Sequence, residues 1–295
     1  MDKTITCLLL VFGVLKLALS ARLAVSGNHF TFNGQRVFLS GGNLPWIQYA
    51  HDFGDHQWAS RKSAVNSQLA ALKAAGGNSL RLWIHIQGET TPAFDGNGYV
   101  TAPDHQGTLI NDFKDMLNLA QSHDILVFPT LWNAAVNQDN SHRLDGLIVD
   151  ERKLQSYIDK VLTPLATAVK GHPALGAWDI MNEPEGMINP DIMSLLQGKL
   201  DFYQVHSYSY QGNFDNVSPF KHSAGDFGTG KPIVVGEFWE QDGGGMNINQ
   251  LFEYVYNHGY AGAWSWDLQA HGANQRGGIS HIKGLTSNGV IPINV

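Results

Sequence analysis

Ala177-Trp178-Asp179-Ile180-Met181-Asn182-Glu183-Pro184 is the stretch that decides the fold of this 295-residue chain. Its apolar beginning predicts a strand that is buried on both faces, as in a parallel sheet. Pro184 has no N–H to donate and disfavours helix at Glu183, so we expect the strand to end there. A carboxylate would then lie at the carboxyl end of a buried strand, and in an α/β barrel this rim carries the chemistry.

A second stretch, Pro232-Ile233-Val234-Val235-Gly236-Glu237-Phe238-Trp239, has the same design. It is again an apolar strand that ends at a glutamate. Hydrolysis of a glycosidic bond uses two carboxyl groups that flank the bond. One glutamate at a strand end is usually a solvated rim residue, so the catalytic prediction rests on the pair, Glu183 and Glu237.

The rest of the chain alternates strands with helices, which predicts a mostly parallel sheet. Residues 23–32 precede it and predict a small antiparallel ribbon. Further strands are predicted at Arg36–Ser40, Asn78–Ile84, Ile125–Trp132, Asp201–Tyr208 and Gly262–Asp267, and helices at Trp58–Ala75, Thr108–Ser122, Glu151–Val169, Asn189–Gly198 and Ile248–Asn257. A doubly wound sheet would have a glycine-rich phosphate loop after its first strand, and no such motif occurs. Polar and aromatic residues end nearly every strand, which favours a barrel.

The barrel pattern has one irregularity. Only 23 positions separate Glu183 from His206, whereas a strand–helix–strand unit needs roughly 30 residues or more. Seven barrel strands are recognisable. Either the barrel has seven strands and an improvised closure, or one strand comes from a part of the chain that its pattern does not reveal.

Composition restricts the class of protein. A net charge of −7 gives no basic surface for nucleic acid. Residues 1–20 have the features of a secretory signal peptide: Lys3 precedes the apolar run Ile5–Leu15, and Ala18-Leu19-Ser20 offers small residues for cleavage. The apolar run is too short to span a membrane. We therefore expect a secreted, extracellular, monomeric protein without membrane contact, in which residues 21–295 form a single catalytic domain.

Several side chains could assist the two glutamates. Asn182 can donate a hydrogen bond to a sugar hydroxyl, and Arg81 on an apolar strand could keep a nearby carboxylate ionised. His206 and Tyr208 alternate along one strand and therefore face the same side. Each has a structural alternative: Arg81 could form an ordinary ion pair, and the two rings could be core residues.

Indole rings at the rim can stack on the apolar face of a pyranose. Trp266 on the last strand is the first candidate, although it could also be a core residue. Trp132 and Trp239 could equally be sugar platforms or packing residues. No HxH, HExxH or cofactor motif occurs, so the sequence predicts neither a metal nor a cofactor.

Four of these motifs together resemble glycoside hydrolase family 5: Trp178–Pro184, His206-Ser207-Tyr208, Gly236-Glu237-Phe238 and Trp264-Ser265-Trp266. Within that family the chain is most similar to animal endo-β-1,4-mannanases of molluscs and arthropods. The resemblance runs from about Leu23 to about Gly278. It implies a (β/α)8 TIM barrel and a retaining mechanism on plant or algal β-mannan.

The resemblance also implies roles for individual residues. Glu183 would be the acid/base and Glu237 the nucleophile, and Asn182 would bind the 2-hydroxyl of the sugar. Arg81 and Tyr208 would hold the nucleophile. His206 would line the site and Trp266 would form its floor. Because Glu183 must carry a proton to act as the acid, we expect burial beside an ionised Glu237 to raise its pKa.

The family normally has a further strand between the Asn-Glu-Pro strand and the His-x-Tyr strand. The short interval therefore implies an incomplete barrel that lacks its fifth strand. Either the sheet closes around the gap and Glu183 still meets Glu237, or the barrel stays open and water enters the cleft. Two other functions remain open, a β-1,4-glucanase and an inactive polysaccharide-binding protein.

Overall fold

A computed structural model describes residues 22–134, 143–184, 200–269 and 275–285. The predicted signal peptide at 1–20, the predicted helix Asn189–Gly198 and the chain end at 290–295 lie outside these ranges. Among the helices that the model describes, none is long and apolar enough to cross a membrane.

A three-stranded antiparallel ribbon opens the described chain. Its strands are β1 (Leu23–Ser26), β2 (His29–Phe32) and β3 (Gln35–Val37). The predicted barrel strand Arg36–Ser40 is therefore wrong at its start, because Arg36 and Val37 pair with β2 instead. The barrel strand begins only at Leu39.

Seven parallel strands form the central sheet. They are β4 (Leu39–Asn43), β5 (Ser79–Trp83), β8 (Leu126–Asn133), β9 (Asp179–Asn182), β10 (Tyr203–His206), β11 (Ile233–Glu237) and β12 (Gly262–Ser265). The hydrogen-bonded order is β10-β11-β12-β4-β5-β8-β9, with every neighbouring pair parallel. In the described part of the chain β9 and β10 are the two free edges. The fold is thus a TIM barrel with a gap between its fourth and sixth strands, which confirms the predicted incomplete barrel.

Helices and short segments connect these strands. The helices are α1 (Trp58–Ala75), α2 (Leu109–Ser122), α3 (Arg143–Val149), α4 (Glu151–Tyr157), α5 (Thr163–Val169), α6 (Ile248–Asn257) and α7 (Gln275–Leu285). A π-helical segment, Ile158–Leu162, joins α4 to α5, so the predicted helix Glu151–Val169 is continuous. Helices α3 and α7 and a two-stranded hairpin, β6 (Ala93–Phe94) with β7 (Val100–Ala102), were not predicted.

The strand that begins the sequence argument is not buried on both faces. On β9 the side chain of Ile180 is 56% exposed. The prediction is wrong here because β9 pairs with β8 on one side only, and no described strand pairs with its other edge.

Aromatic side chains fill the base of the barrel. Trp264 of β12 and Phe128 of β8 are both fully buried, with their rings 4.7 Å apart. Phe202, just before β10, packs against Phe128 at 6.2 Å and against Phe30 of the ribbon at 5.4 Å. Phe202 thus connects the β10 side of the gap to β8 through the core.

Candidate active site

The carboxyl ends of the barrel strands bring the predicted catalytic groups together. Glu183 follows β9, Glu237 ends β11 and His206 ends β10. One carboxylate oxygen of each glutamate and one ring nitrogen of His206 all lie within 4.8 Å of one another. Residues far apart in the sequence meet here because parallel strands end at the same rim.

Glu237 is held on both of its carboxylate oxygens. Arg81 Nη1 donates to Oε1 at 2.7 Å, and the Tyr208 hydroxyl donates to Oε2 at 2.8 Å. The carboxylate is only 4% exposed, so these donors replace the water that burial removes. Burial, followed by the charge of Glu237, raises the pKa of Tyr208 well above its usual range, which keeps the phenol protonated as a donor.

Arg81 is the central cation of the site, although its side chain is fully buried. Besides Glu237 it donates to Asp179 Oδ2 at 2.8 Å through Nε, and to Asn182 Oδ1 at 2.8 Å through Nη2. Burial alone would lower the pKa of Arg81, but the charges of Asp179 and Glu237 outweigh it and raise the pKa. The planar guanidinium thus fixes three side chains from two strands, β9 and β11, at once.

Glu183 lies in a less protected place. It has a φ of 45°, in the left-handed region that non-glycine residues seldom adopt, and its side chain is 28% exposed. His206 Nδ1 lies 2.8 Å from Glu183 Oε1. This hydrogen bond lowers the pKa of Glu183, and it outweighs burial, which raises it.

The prediction of a raised Glu183 pKa is therefore wrong for the free chain. Burial beside Glu237 is predictable from the strand ends, but the direct contact of His206 with Glu183 is not. The structure combines one feature from each of the two outcomes predicted for the gap. The sheet stays open between β9 and β10, yet Glu183 and Glu237 still meet.

Asparagines complete the polar rim. Asn182 is buried and donates to Asn133 Oδ1 at 3.0 Å while it accepts from Arg81. Asn43, at the end of β4, accepts from Arg81 Nη1 at 3.0 Å and donates to the carbonyl of Gly236 at 2.8 Å. Asn43 and Asn133 were not predicted to belong to the site. Their position was the available signal, because each is a polar residue at the carboxyl end of a barrel strand.

An aromatic cluster lies beside Arg81. Trp83 packs against the guanidinium, with Arg81 Cζ 5.7 Å from its ring centre. Trp266 lies 5.8 Å from Trp83, and Trp46 lies 5.3 Å from it. Trp266 and Trp46 are half-buried, so these two offer ring surface at the rim. The sequence analysis singled out Trp266 and missed Trp46.

The other two predicted indole platforms lie in different surroundings. Trp132 is only 3% exposed and packs between His85 at 4.8 Å and Tyr157 at 5.1 Å. That burial leaves no ring face for a sugar, so packing is its role here. Trp239 is half-buried two residues after Glu237, and its Nε1 donates to Asp242 at 2.6 Å.

The cluster of Glu183, His206 and Glu237 also contains the ligand types that divalent metals bind. In this arrangement the atoms already form hydrogen bonds with one another and with neighbouring side chains. Both oxygens of Glu237 accept protein hydrogen bonds, and both nitrogens of His206 have partners. The Arg81 guanidinium, 2.7 Å from Glu237, further disfavours a second cation.

Three comparisons relate the chain to known proteins. It is 40% identical to a mannan endo-1,4-beta-mannosidase of Mytilus edulis, over 92% of this chain and 95% of the relative. It is 31% identical to a mannan endo-1,4-beta-mannosidase of Cryptopygus antarcticus over the full length of both. The solved beta-1,4-mannanase of Aplysia kurodai superposes with a TM-score of 0.88 at 50% identity, covering 93% of this chain and all of that one. No family model matches the chain.

The alignments also bear on the gap in the barrel. The match to the Mytilus edulis protein extends over 349 positions, although this whole chain has 295 residues. The relative therefore has residues within the aligned region that this chain lacks. The sheet is interrupted between β9 and β10, and the interval between these two strands is where we place the missing residues.

Proposed function

The chain belongs to the family of animal mannan endo-1,4-β-mannosidases, and we propose that it is a secreted, monomeric enzyme that hydrolyses β-mannan with retention of configuration. The observation that supports this best is the pairing of Glu183 with Glu237. Their closest carboxylate oxygens lie within 4.8 Å of each other. Retaining glycosidases have carboxyl groups about 5–5.5 Å apart, whereas inverting enzymes need a wider separation for a water molecule.

The two glutamates have distinct environments that fit distinct roles. Glu237 is buried between Arg81 and Tyr208, which hold its two carboxylate oxygens in place, so it would attack the anomeric carbon. The Glu183 side chain is 28% exposed and reaches His206, so it can exchange protons. In the first step Glu183 would protonate the leaving oxygen, and in the second it would take the proton of the attacking water.

Asn182 would hold the sugar at the cleavage point. Its Oδ1 accepts from Arg81 and its Nδ2 donates to Asn133, so the amide orientation is fixed. A sugar hydroxyl bound at this rim would therefore face the Asn182 amide in one fixed orientation. Trp266 and Trp46 would provide ring faces next to it.

The test is release of reducing sugar from glucomannan and galactomannan, with carboxymethyl cellulose assayed beside them. We expect mannan to be hydrolysed faster, and Glu183→Gln and Glu237→Gln to abolish release while the chain stays folded. Proton NMR of the first product should show the β-anomer. Equal or faster hydrolysis of cellulose would instead identify a β-1,4-glucanase.

The open edge of the barrel favours a second candidate, a protein that binds mannan and turns it over poorly. The hydrogen bond from His206 lowers the pKa of Glu183 in the free chain, which disfavours the protonated acid. If this persists in the complex, affinity for mannan would remain with little product. Calorimetric binding of mannohexaose together with a turnover assay separates the two functions.

A further inference from the structure

Gln204 contacts the nitrogen of His206 that faces away from Glu183. It lies two residues before His206 on β10, and its Nε2 is 2.8 Å from His206 Nε2. In this orientation of the Gln204 amide its nitrogen donates, so His206 Nε2 accepts through its lone pair and the ring hydrogen is on Nδ1. That hydrogen is donated to Glu183 Oε1 at 2.8 Å. The order of donors thus runs from Gln204 through His206 to Glu183.

We propose that Gln204 is a positioning residue that sets the tautomer of His206 and, through it, the protonation of Glu183. The proposal deepens the proposed function, since it concerns Glu183 as the acid/base. Gln204 lies outside the sequence motifs that contain the two catalytic glutamates.

Gly236 gives an independent observation. The pairing of β10 with β11 passes from Val205 opposite Val235 to His206 opposite Glu237, so Gly236 is the extra residue of a bulge. A β-carbon on Gly236 would lie 2.3 Å from Gln204 Cγ and 2.4 Å from its Cδ. Bulges beside active sites re-aim a neighbouring side chain. Here the bulge brings Glu237 beside His206, and the missing side chain leaves the room that the Gln204 amide fills.

The same amide can serve the other protonation state. When the Glu183–His206 pair takes up one proton and shares one hydrogen between Glu183 Oε1 and His206 Nδ1, the other ring hydrogen lies on His206 Nε2, whether the carboxyl or the ring keeps the shared one. The Nε2 hydrogen needs an acceptor. Among the described residues Gln204 Oε1 is buried without a hydrogen-bond partner, and a half-turn of the amide would present it to His206 Nε2. A glutamine, which both donates and accepts, therefore fits both states of the acid.

Other charged groups around His206 also influence this proton. Glu237 Oε2 lies 3.6 Å from His206 Nδ1. Arg81 is bound to Glu237 at 2.7 Å and brings a positive charge to the same cluster. Tyr208 donates to the same oxygen of Glu237. None of these three groups contacts His206 Nε2 among the hydrogen bonds of the described residues, so Gln204 controls that side of the ring.

Two substitutions of Gln204 separate its polarity from its shape. Gln204→Glu provides only an acceptor and adds a negative charge, so it favours the state with the extra proton. We expect the alkaline limb of the kcat/KM profile to move to higher pH by about one unit. Gln204→Met keeps the length and removes both polar atoms. We expect kcat to fall about 10-fold or more, within the range that general acid–base catalysis supplies, with KM little changed.

A double-mutant cycle tests the role of the bulge. In Gly236→Ala the new methyl group would displace the Gln204 side chain, and we expect a loss of kcat similar to that of Gln204→Met. If Gly236→Ala acts through Gln204, it should cost little more in a Gln204→Ala background. Gln155→Glu and Gln155→Met on the exposed face of α4 are the matched controls, and both should keep the wild-type profile.

Nitrogen-15 NMR of histidine-labelled chain reads the tautomer without any turnover. His206 is identified by the signals that disappear in His206→Asn. We expect the Nδ1–H form in the wild type, and a mixture of tautomers in folded Gln204→Met. An unchanged tautomer in Gln204→Met, or a Gln204→Glu profile that coincides with the wild type, would overturn the proposal. Absence of mannan hydrolysis by the wild type would instead refute the proposed function, and the NMR result would still decide the role of Gln204.

Discussion

Replacement of Arg81 by methionine tests whether one buried cation organises the site. Methionine keeps an unbranched apolar stem and removes the guanidinium. Two carboxylates then lose their cation, Glu237 at 2.7 Å and Asp179 at 2.8 Å. Breaking a buried ion pair by removal of one partner costs about 3–5 kcal/mol, because a buried charge is left uncompensated.

The structure favours the lower end of that range. Glu237 keeps the Tyr208 hydroxyl at 2.8 Å, and Asp179 keeps the Thr130 hydroxyl at 2.8 Å. Asp179 is also 15% exposed and can regain some hydration. We therefore expect a loss of about 3 kcal/mol in the free energy of unfolding. For a domain of this size that corresponds to a fall of roughly 6–12 °C in Tm.

The assay is urea unfolding followed by tryptophan fluorescence, with differential scanning calorimetry beside it. Arg152→Met is the matched control, because Arg152 is 82% exposed and its partner Asp150 lies 3.8 Å away. We expect that control to change stability by less than about 0.5 kcal/mol. Adding Glu237→Gln to Arg81→Met should restore part of the lost stability, since it removes an unpaired charge. A loss below about 1 kcal/mol, or no recovery in the double variant, would refute the reasoning.

Four further predictions follow from the site and the open edge. Tyr208→Phe removes a donor to the charged carboxylate of Glu237, worth about 1.5–3 kcal/mol, so kcat/KM should fall about 10- to 150-fold while the fold survives; an unchanged rate would contradict it. Trp132→Ala should destabilise the chain by about 3–5 kcal/mol in urea titrations and leave KM nearly unchanged, whereas a sugar platform would show a raised KM in the folded fraction. The hydrogen bond from His206 lowers the pKa of Glu183 in the folded chain. The pair therefore stabilises the fold at pH values above the unfolded glutamate pKa of about 4.3, and this stabilisation is lost as the pH falls through the lower folded pKa. Glu183→Gln should therefore flatten the acid side of the stability curve, and a curve identical to the wild type would count against the pair. Ile180→Thr should change the unfolding free energy by less than about 1 kcal/mol, because the side chain is 56% exposed, and should reduce aggregation measured by light scattering; a large destabilisation would mean that Ile180 is covered.

The pattern of strand ends in the sequence predicted the parts of the site that depend on local order. Alternation along one strand places His206 and Tyr208 on the same side, and the structure has both contacting Glu237. Alternation gave no such guidance for β8, where all eight residues from Leu126 to Asn133 are buried. A strand buried on both faces has no polar side to mark its outside. The direction of Trp132 could therefore not be predicted.

Tertiary packing explains what the sequence pattern missed. Helix α7 contains Gly277 and Gly278, which disfavour helix, and lies in a region rich in glycine and asparagine. It forms because Ile279 and Ile282 are fully buried. Gly278 also approaches Phe252 of α6 so closely that a β-carbon would lie 2.2 Å from its ring. The glycine that weakens the helix locally thus permits the contact that stabilises it.

The gap in the barrel affects the two catalytic glutamates unequally. Glu237 ends β11, which pairs with β10 and β12, and it is held by Arg81 from β5 and by Tyr208 beyond β10. The side of Glu237 that Arg81 binds therefore does not depend on the absent strand. Glu183 follows β9, which is a free edge. It contacts the other side of the gap through the hydrogen bond with His206.

The acid thus follows a free edge of the sheet, whereas the nucleophile lies on β11, which is paired on both sides. Burial is the effect that raises the pKa of a carboxyl group, and at Glu183 the hydrogen bond from His206 outweighs it. A bound sugar would add to that burial by covering the exposed side of Glu183. The pKa of Glu183 should then rise on binding, so the alkaline limb of the kcat profile, which reports the complex, should lie at higher pH than that of kcat/KM. Coincident limbs in the two profiles would mean that the open edge does not control the acid, and that the lost strand has no influence on its proton.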